Sequence, residues 1–124
     1  MQQINFTIPG HPVAKARARV TRHGTYTPEA TQNYKSLIQV YARQAMGGEP
    51  PLLKGVELKV FIYRKSKPAT RPDIDNYVKA IMDGCNSIIW HDDAQVVRLW
   101  SEKILWDSAP QTPIEKIEVE IMEL

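Results

Sequence analysis

Hydrophobic and polar positions in the first third of the chain predict a strand, a loop and a helix. Residues 4–8 alternate apolar and polar side chains, the period of a half-buried strand. Residues 10–27 contain Gly and Pro and predict a loop. Apolar positions from Tyr34 to Ala45 keep helical spacing, and Thr27 is the expected N-cap of that helix.

The rest of the chain predicts three strands and a second helix. Alternation over residues 56–63 predicts a strand, followed by a basic loop over 64–72. An apolar stripe over 75–89 predicts the second helix. Residues 96–106 are strand-like. Residues 117–121 alternate apolar side chains with Glu, as in a strand with one solvent-exposed face.

This order of elements defines the expected fold. The order strand, helix, strand, helix, strand, strand favours a small α/β protein with a mixed sheet of about four strands packed with two main helices. The last two strands are expected to form a hairpin. At 124 residues, one domain spanning 1–124 is the simplest organisation.

Charge is distributed unevenly along the chain. Residues 1–71 hold twelve Lys and Arg against three Glu, whereas residues 72–124 hold four against eleven Asp and Glu. A basic half of this kind can attract phosphates. Cys85 is the single cysteine, which excludes an internal disulfide framework and fits a reducing cytosol. Neither a signal peptide nor a membrane span is apparent, so we expect a cytoplasmic protein.

Residues 73–93 contain a cluster of carboxylates. Like charges repel, and such a cluster is costly unless a cation lies between its members. Asp73 and Asp75 precede the second helix, and in extended backbone residues two apart face the same way. Asp92 and Asp93 precede a strand, and if that strand starts beside the helix start, the four could hold a hard cation such as Mg²⁺. The alternative is that Asp73 and Asp75 cap the helix and Asp92-Asp93 is an ordinary acidic turn.

Lys79 lies one helical turn after Asp75, on the same face. It could stabilise charge on a scissile phosphate, or it could simply form an i,i+4 ion pair. We expect Asp83, one turn further on, to pair with Lys79. His91 is read by default as an exposed turn residue.

Two basic loops are candidate DNA contacts, although such loops are more often just solvated. Tyr26 and Tyr63 lie near them in sequence and could stack on bases or sugars. Zinc-ligand spacing, a Gly-rich phosphate loop and nucleophile motifs are all missing from the sequence. The basic residues are Lys15, Arg17, Arg19, Arg22, Arg64, Lys65, Lys67 and Arg71.

The residues Arg71-Pro72-Asp73-Ile74-Asp75-Asn76-Tyr77-Val78-Lys79 and Trp90-His91-Asp92-Asp93-Ala94-Gln95-Val96 resemble the motifs of the RusA family of Holliday-junction resolvases. The Lys15-Ala16-Arg17-Ala18-Arg19 loop and Tyr26-Thr27-Pro28 are similar to those of phage and prophage members. One departure is Ala18, where many members carry proline.

The resemblance implies a Mg²⁺-dependent endonuclease that nicks four-way DNA junctions symmetrically as a homodimer, without an organic cofactor. It implies that Asp73, Asp75 and Asp93 are the essential acidic residues and that Lys79 is the essential lysine. Asp92 matches a neighbouring acidic position. It is expected either to bind the metal directly or to support the residues that bind it. Two alternatives remain: a DNA-structure-binding protein without nuclease activity, and an enzyme acting on a small phosphorylated substrate.

Overall fold

A computed structural model describes residues 2–65, 71–106 and 114–124 of the chain. The two helices are α1 (Glu29–Met46) and α2 (Ile74–Cys85). The strands are β1 (Gln3–Pro9), β2 (Arg19–Thr21), β3 (Gly24–Tyr26), β4 (Val56–Lys65), β5 (Val96–Trp106) and β6 (Lys116–Glu123).

Four strands form one mixed sheet in the order β1-β6-β4-β5. The strands β4 and β5 run parallel, and the other two pairings are antiparallel. The predicted α/β fold, with a mixed four-stranded sheet and two main helices, is confirmed. The separate pair β2–β3 forms a small hairpin inside the segment that was predicted to be a loop.

The predicted hairpin between the last two strands is wrong. The strands β5 and β6 lie on opposite sides of β4 and do not touch each other as neighbours. The physical reason is that both strands pair with β4, β5 in parallel and β6 in antiparallel orientation. These pairings use both edges of β4 along most of its length, so β4 separates β5 from β6.

The core lies between one face of the sheet and the two helices. It joins alternate residues of β1, β4 and β6 to the inner faces of α1 and α2. Gly84 allows the closest approach of the helices, because a Cβ built there would lie 2.5 Å from Ile38 Cγ2. In α1 the N-cap is Pro28, so the predicted cap at Thr27 is wrong, and α2 ends at Cys85 although its stripe was predicted to continue to residue 89.

The β4–α2–β5 crossover decides which parts of the chain meet. Because β4 and β5 are parallel, α2 begins at the end of the sheet where both strands finish. A hydrogen bond from Lys103 Nζ to the Pro72 carbonyl, 3.1 Å long, fixes that end. Residues 92–93 immediately precede β5 and therefore lie at the other end, about 20–30 Å away at 3.3 Å per strand residue.

No helix within the described residues is long and apolar enough to cross a membrane.

Candidate metal and nucleic-acid site

A cleft of about 630 Å³ opens between the basic loop 14–18 and the start of α2. Asp73, Asp75 and Lys79 line it on the helix side, and Arg17 lines it from the loop. Acidic and basic side chains from two separate segments therefore face one solvent-filled space. A phosphate would enter on the basic side, and a cation on the acidic side.

The loop is attached to the helices by hydrogen bonds. The Lys15 backbone N–H donates to the Asn76 carbonyl at 2.9 Å, and the Ala16 N–H donates to Thr31 Oγ1 at 3.1 Å. Since Asn76 lies between Asp75 and Tyr77, the first of these bonds ties the loop directly to the acidic turn. These two bonds hold the backbone of the basic loop beside the acidic turn.

Asp83 strengthens the same attachment. Its carboxylate lies 3.4 Å from Lys15 Nζ and 3.8 Å from Lys35 Nζ. The prediction that Asp83 pairs with Lys79 is wrong, because Lys79 forms its ion pair with Asp75 at 3.5 Å. Lys15 was predicted to contact DNA, and here its side chain is half-buried against α2.

Asp73 occupies the N-cap position of α2, but its side chain makes no cap hydrogen bond. The reading of Asp73 as a capping carboxylate is therefore not supported. Asp73 and Asp75 are both exposed. Their oxygens remain available to a ligand, apart from the exposed ion pair of Asp75 with Lys79, which contributes at most a few tenths of a kcal/mol, roughly.

Two cations from the sheet hold the backbone just before Asp73. Arg64 Nη1 donates to the Arg71 carbonyl at 2.7 Å and to the Tyr77 hydroxyl at 2.7 Å. Lys103 Nζ donates to the carbonyl of the next residue, Pro72. Burial raises the pKa of Tyr77, so its hydroxyl stays protonated at neutral pH. Arg64 was predicted as a DNA contact, and that contact stays a prediction. The structure shows this half-buried side chain bonded to the backbone two residues before Asp73.

Asp92 and Asp93 form a rigid turn at the opposite end of the sheet. Asp92 Oδ2 accepts from the Ala94 N–H at 3.1 Å, and Gln95 Oε1 accepts from the Asp92 N–H at 3.2 Å, which together make a capping box. Gln95 Nε2 also donates to the Leu52 carbonyl at 2.8 Å. The turn is thereby locked onto the segment before β4.

The four aspartates therefore do not meet within one chain. The expectation that Asp92 and Asp93 join Asp73 and Asp75 fails because β5 starts at the far end from the start of α2. Over the described ranges, no three His, Cys, Asp or Glu side chains lie close enough to hold one metal ion.

The remaining basic residues have varied placements. Arg17 and Arg22 are exposed, with Arg22 in the turn of the β2–β3 hairpin, and Arg71 and Lys65 are exposed near the start of α2. Arg19 is the first residue of β2, and Lys67 lies outside the described residues.

The two tyrosines differ as well. Tyr26 is exposed beside the basic loop, as a stacking side chain must be. Tyr63 lies on the sheet face away from the helices, and its hydroxyl donates to Glu118 at 3.2 Å.

Sequence reasoning missed several supporting residues. Lys103, Asn76 and Tyr77 act through contacts between segments far apart in sequence, which leave no local signal. Gln95 could have been found, because an Asp followed three residues later by Gln has the spacing of a capping box.

Comparison with known proteins adds two findings. The family model described as "Endodeoxyribonuclease RusA" matches residues 9–122. The chain is also 34% identical over 122 residues to "Uncharacterized protein YqaN" of Bacillus subtilis (strain 168), covering 80% of this chain and 85% of that protein. The matched range includes both basic loops and all four aspartates.

Proposed function

Because the chain belongs to the RusA endodeoxyribonuclease family, we propose that it is a Mg²⁺-dependent resolvase that cuts four-way DNA junctions by paired, symmetric nicks. The observation that carries this proposal is the cleft in which Asp73, Asp75 and Lys79 face Arg17. A phosphodiester bound there would contact cationic side chains while its scissile bond lay beside two carboxylates.

The acidic turn fits Mg²⁺, which proteins often bind through only one or two carboxylates, with water and substrate phosphate completing the shell. Asp73 and Asp75 provide such a pair, and Asp73 is not used by its own helix. Bound there, Mg²⁺ would neutralise the phosphate and lower the pKa of a ligand water. Arg64 and Lys103 keep the backbone before Asp73 in place.

Asp93 would enter the site from a second copy of the chain. Within one chain it lies at the far end of β5, whereas a twofold axis across the sheet exchanges the two ends. Each copy would then give Asp73 and Asp75 to one site and Asp93 to the other. Asp92 would orient this contribution, because its carboxylate already holds the turn together. A junction with two-fold symmetry needs two such sites in opposed orientation.

Lys79 would stabilise charge that develops on the phosphate oxygens. Its ammonium group lies 3.5 Å from Asp75 and is exposed, so it can shift toward an incoming phosphate at little cost. The hairpin β2–β3 and Arg17 would supply salt-dependent contacts to the DNA backbone. Junction choice would then follow from the shape of the DNA.

A nicking assay on a synthetic four-way junction tests the proposal. We expect paired nicks that depend on Mg²⁺ concentration, and expect Asp73→Asn to abolish nicking while junction binding in a gel shift survives. Glu120→Gln, which removes the same charge on the open face of the sheet, is the matched control and should cut normally. Nicking by Asp73→Asn at the wild-type rate would refute the site.

The two alternatives give different results in the same assay. A non-catalytic junction-binding protein would shift the junction and release no product at any Mg²⁺ concentration. An enzyme acting on a small phosphorylated substrate would keep its activity when both basic loops are neutralised.

A further inference from the structure

A furrow follows the two helices from the acidic cleft to the far end of α1. Lys15 lines both the cleft and the small cavity beside it. Lys35 and Asp83 line that cavity and also a groove of about 290 Å³. Arg43 lines this groove and the next one, of about 270 Å³, where α1 ends. Because neighbouring depressions share their lining residues, they form one continuous path over the surface.

The wall of the furrow formed by α1 is rich in hydrogen-bond donors and poor in negative charge. Glu29, in the first turn, is the one acidic residue among the eighteen of this helix. Amides, hydroxyls and cations are the side chains with which proteins contact the phosphates and sugars of DNA. The polar residues of α1 after its first turn are Gln32, Asn33, Lys35, Ser36, Gln39, Arg43 and Gln44.

The two walls of the furrow are fixed in place by the fold. Lys35, Gln39 and Arg43 follow one another at intervals of four residues, so they form one stripe on α1. The opposite wall is the turn that follows α2. There the Ser87 N–H donates to the Trp90 carbonyl at 2.7 Å, and Trp90 Nε1 donates to Asn86 Oδ1 at 2.8 Å. The furrow therefore exists before any ligand enters it.

The charges along the furrow favour a polyanion. Asp83 is shared between two cations, since its carboxylate lies 3.4 Å from Lys15 Nζ and 3.8 Å from Lys35 Nζ. Arg43 is exposed and forms no ion pair with any residue that the structure describes. The open face of the sheet has the opposite character, because four carboxylates alternate there with the buried positions of β4, β5 and β6. They belong to Glu57, Glu102, Glu118 and Glu120.

We propose that the furrow binds the sugar-phosphate backbone of one junction arm, several nucleotides away from the bond that is cut. This inference rests on the proposed function for DNA as the partner. Lys35 and Arg43 lie eight residues apart, which is about 12 Å along a helix. One phosphate group cannot contact both cations over that distance. A strand that rises about 3.4 Å per nucleotide covers it in about four nucleotides.

These contacts position the arm and carry no base sequence. The furrow begins at the cleft that holds Asp73 and Asp75, so an arm held along α1 leads directly into the acidic turn. The furrow thus extends the electrostatic contact beyond the basic loop 14–18, along a surface that only a long substrate can reach.

The salt dependence of junction binding tests the furrow without any cutting. We expect Arg43→Gln, measured by fluorescence anisotropy without a divalent metal ion, to weaken binding several-fold. Its plot of log affinity against log salt should be shallower than that of wild type by about 0.9, the slope of one phosphate contact. Lys59→Gln removes the same charge on the open face of the sheet and is the matched control, with a wild-type slope. Circular dichroism confirms that both variants are folded.

Neutral linkages in the DNA locate the contact. Successive groups of about four phosphates along one arm are replaced by methylphosphonates, which keep the backbone but remove its charge. One group, outside the crossover, should weaken binding of wild-type protein. The same group should have little further effect on the double variant Lys35→Gln with Arg43→Gln, because the partners of those phosphates are already gone. Equal weakening of wild type and double variant by every group would overturn the furrow.

The outcomes separate the furrow from the proposed function. A wild-type slope for Arg43→Gln overturns the furrow as a DNA contact and would point to another partner, whether or not the protein cuts junctions. If Arg43→Gln has the shallower slope and wild-type protein never nicks the junction at any Mg²⁺ concentration, the proposed function fails and the furrow stands. Wild-type protein that binds no DNA would refute both.

Discussion

Subunit mixing gives the sharpest test of a site shared between two chains. Asp73→Asn and Asp93→Asn should each be inactive alone, since each variant lacks one required carboxylate in both of its sites. When the two variants exchange subunits, the mixed dimer has one site lacking both carboxylates. Its other site is intact, because it combines Asp73 of one chain with Asp93 of the other.

The expected magnitude follows from counting sites. With equal amounts and random exchange, half of the dimers are mixed and each has one intact site, so about one quarter of the wild-type number of sites is restored. A supercoiled plasmid with an extruded inverted repeat reads this out. Wild-type protein should linearise the plasmid by two cuts, whereas the mixture should give mainly nicked circles.

Failure of this test is informative because exchange can be verified separately. If differently tagged subunits co-purify and the mixture remains inactive, Asp93 does not enter the site from the second copy. Wild-type cutting by Asp93→Asn alone would remove that residue from the site altogether.

The remaining predictions concern the supports of the site and the core. Arg64→Ala should lower the cutting rate and should lower the affinity for Mg²⁺ measured by calorimetry. Arg64→Lys should retain part of both properties. If the two variants lose folded protein to the same extent, Arg64 has only a structural role. Gly84→Ala should destabilise the protein by about 1–3 kcal/mol in urea titration, since the new methyl group would meet Ile38 at 2.5 Å; a neutral effect would contradict the packing. Burial raises the pKa of the Cys85 thiol, so the thiol should react with a disulfide reagent only after the protein unfolds. Prompt reaction in the folded protein would contradict the burial of Cys85. Arg17→Ala should weaken junction binding and flatten its dependence on salt, measured by fluorescence anisotropy; an unchanged slope would exclude the loop from the DNA contact.

Local patterns in the sequence predicted the elements better than their arrangement. Alternation identified β1, β4 and β6, and the strand at 96–106 has the predicted bounds, because period-two burial is visible in each segment alone. The helical stripe of α2 was extended too far. Ile89 and Trp90 are buried by a turn held by the Trp90 Nε1 to Asn86 Oδ1 bond, and their spacing mimics another helical turn.

The structure brings some of the predicted site residues together and keeps others apart. Asp73, Asp75 and Lys79 line one cleft because residues two or four positions apart at the start of a helix stay close in space, whereas the basic loop reaches the same cleft through the long-range hydrogen bond from Lys15 to Asn76. The position of Asp93 depends on strand direction and pairing order, which are fixed by long-range contacts of β4. The sequence carries no local trace of that choice.

The parallel β4–α2–β5 crossover leaves each isolated molecule with two pairs of aspartates, Asp73 with Asp75 and Asp92 with Asp93, at opposite ends of its sheet. Under the shared-site proposal, a newly synthesised chain would have no complete site and would not cut DNA until it associated with a second chain. Under the shared-site proposal, cleavage should rise with the square of protein concentration when the protein is dilute and become linear once association is complete. The level of expression alone would then limit how much DNA the protein cuts.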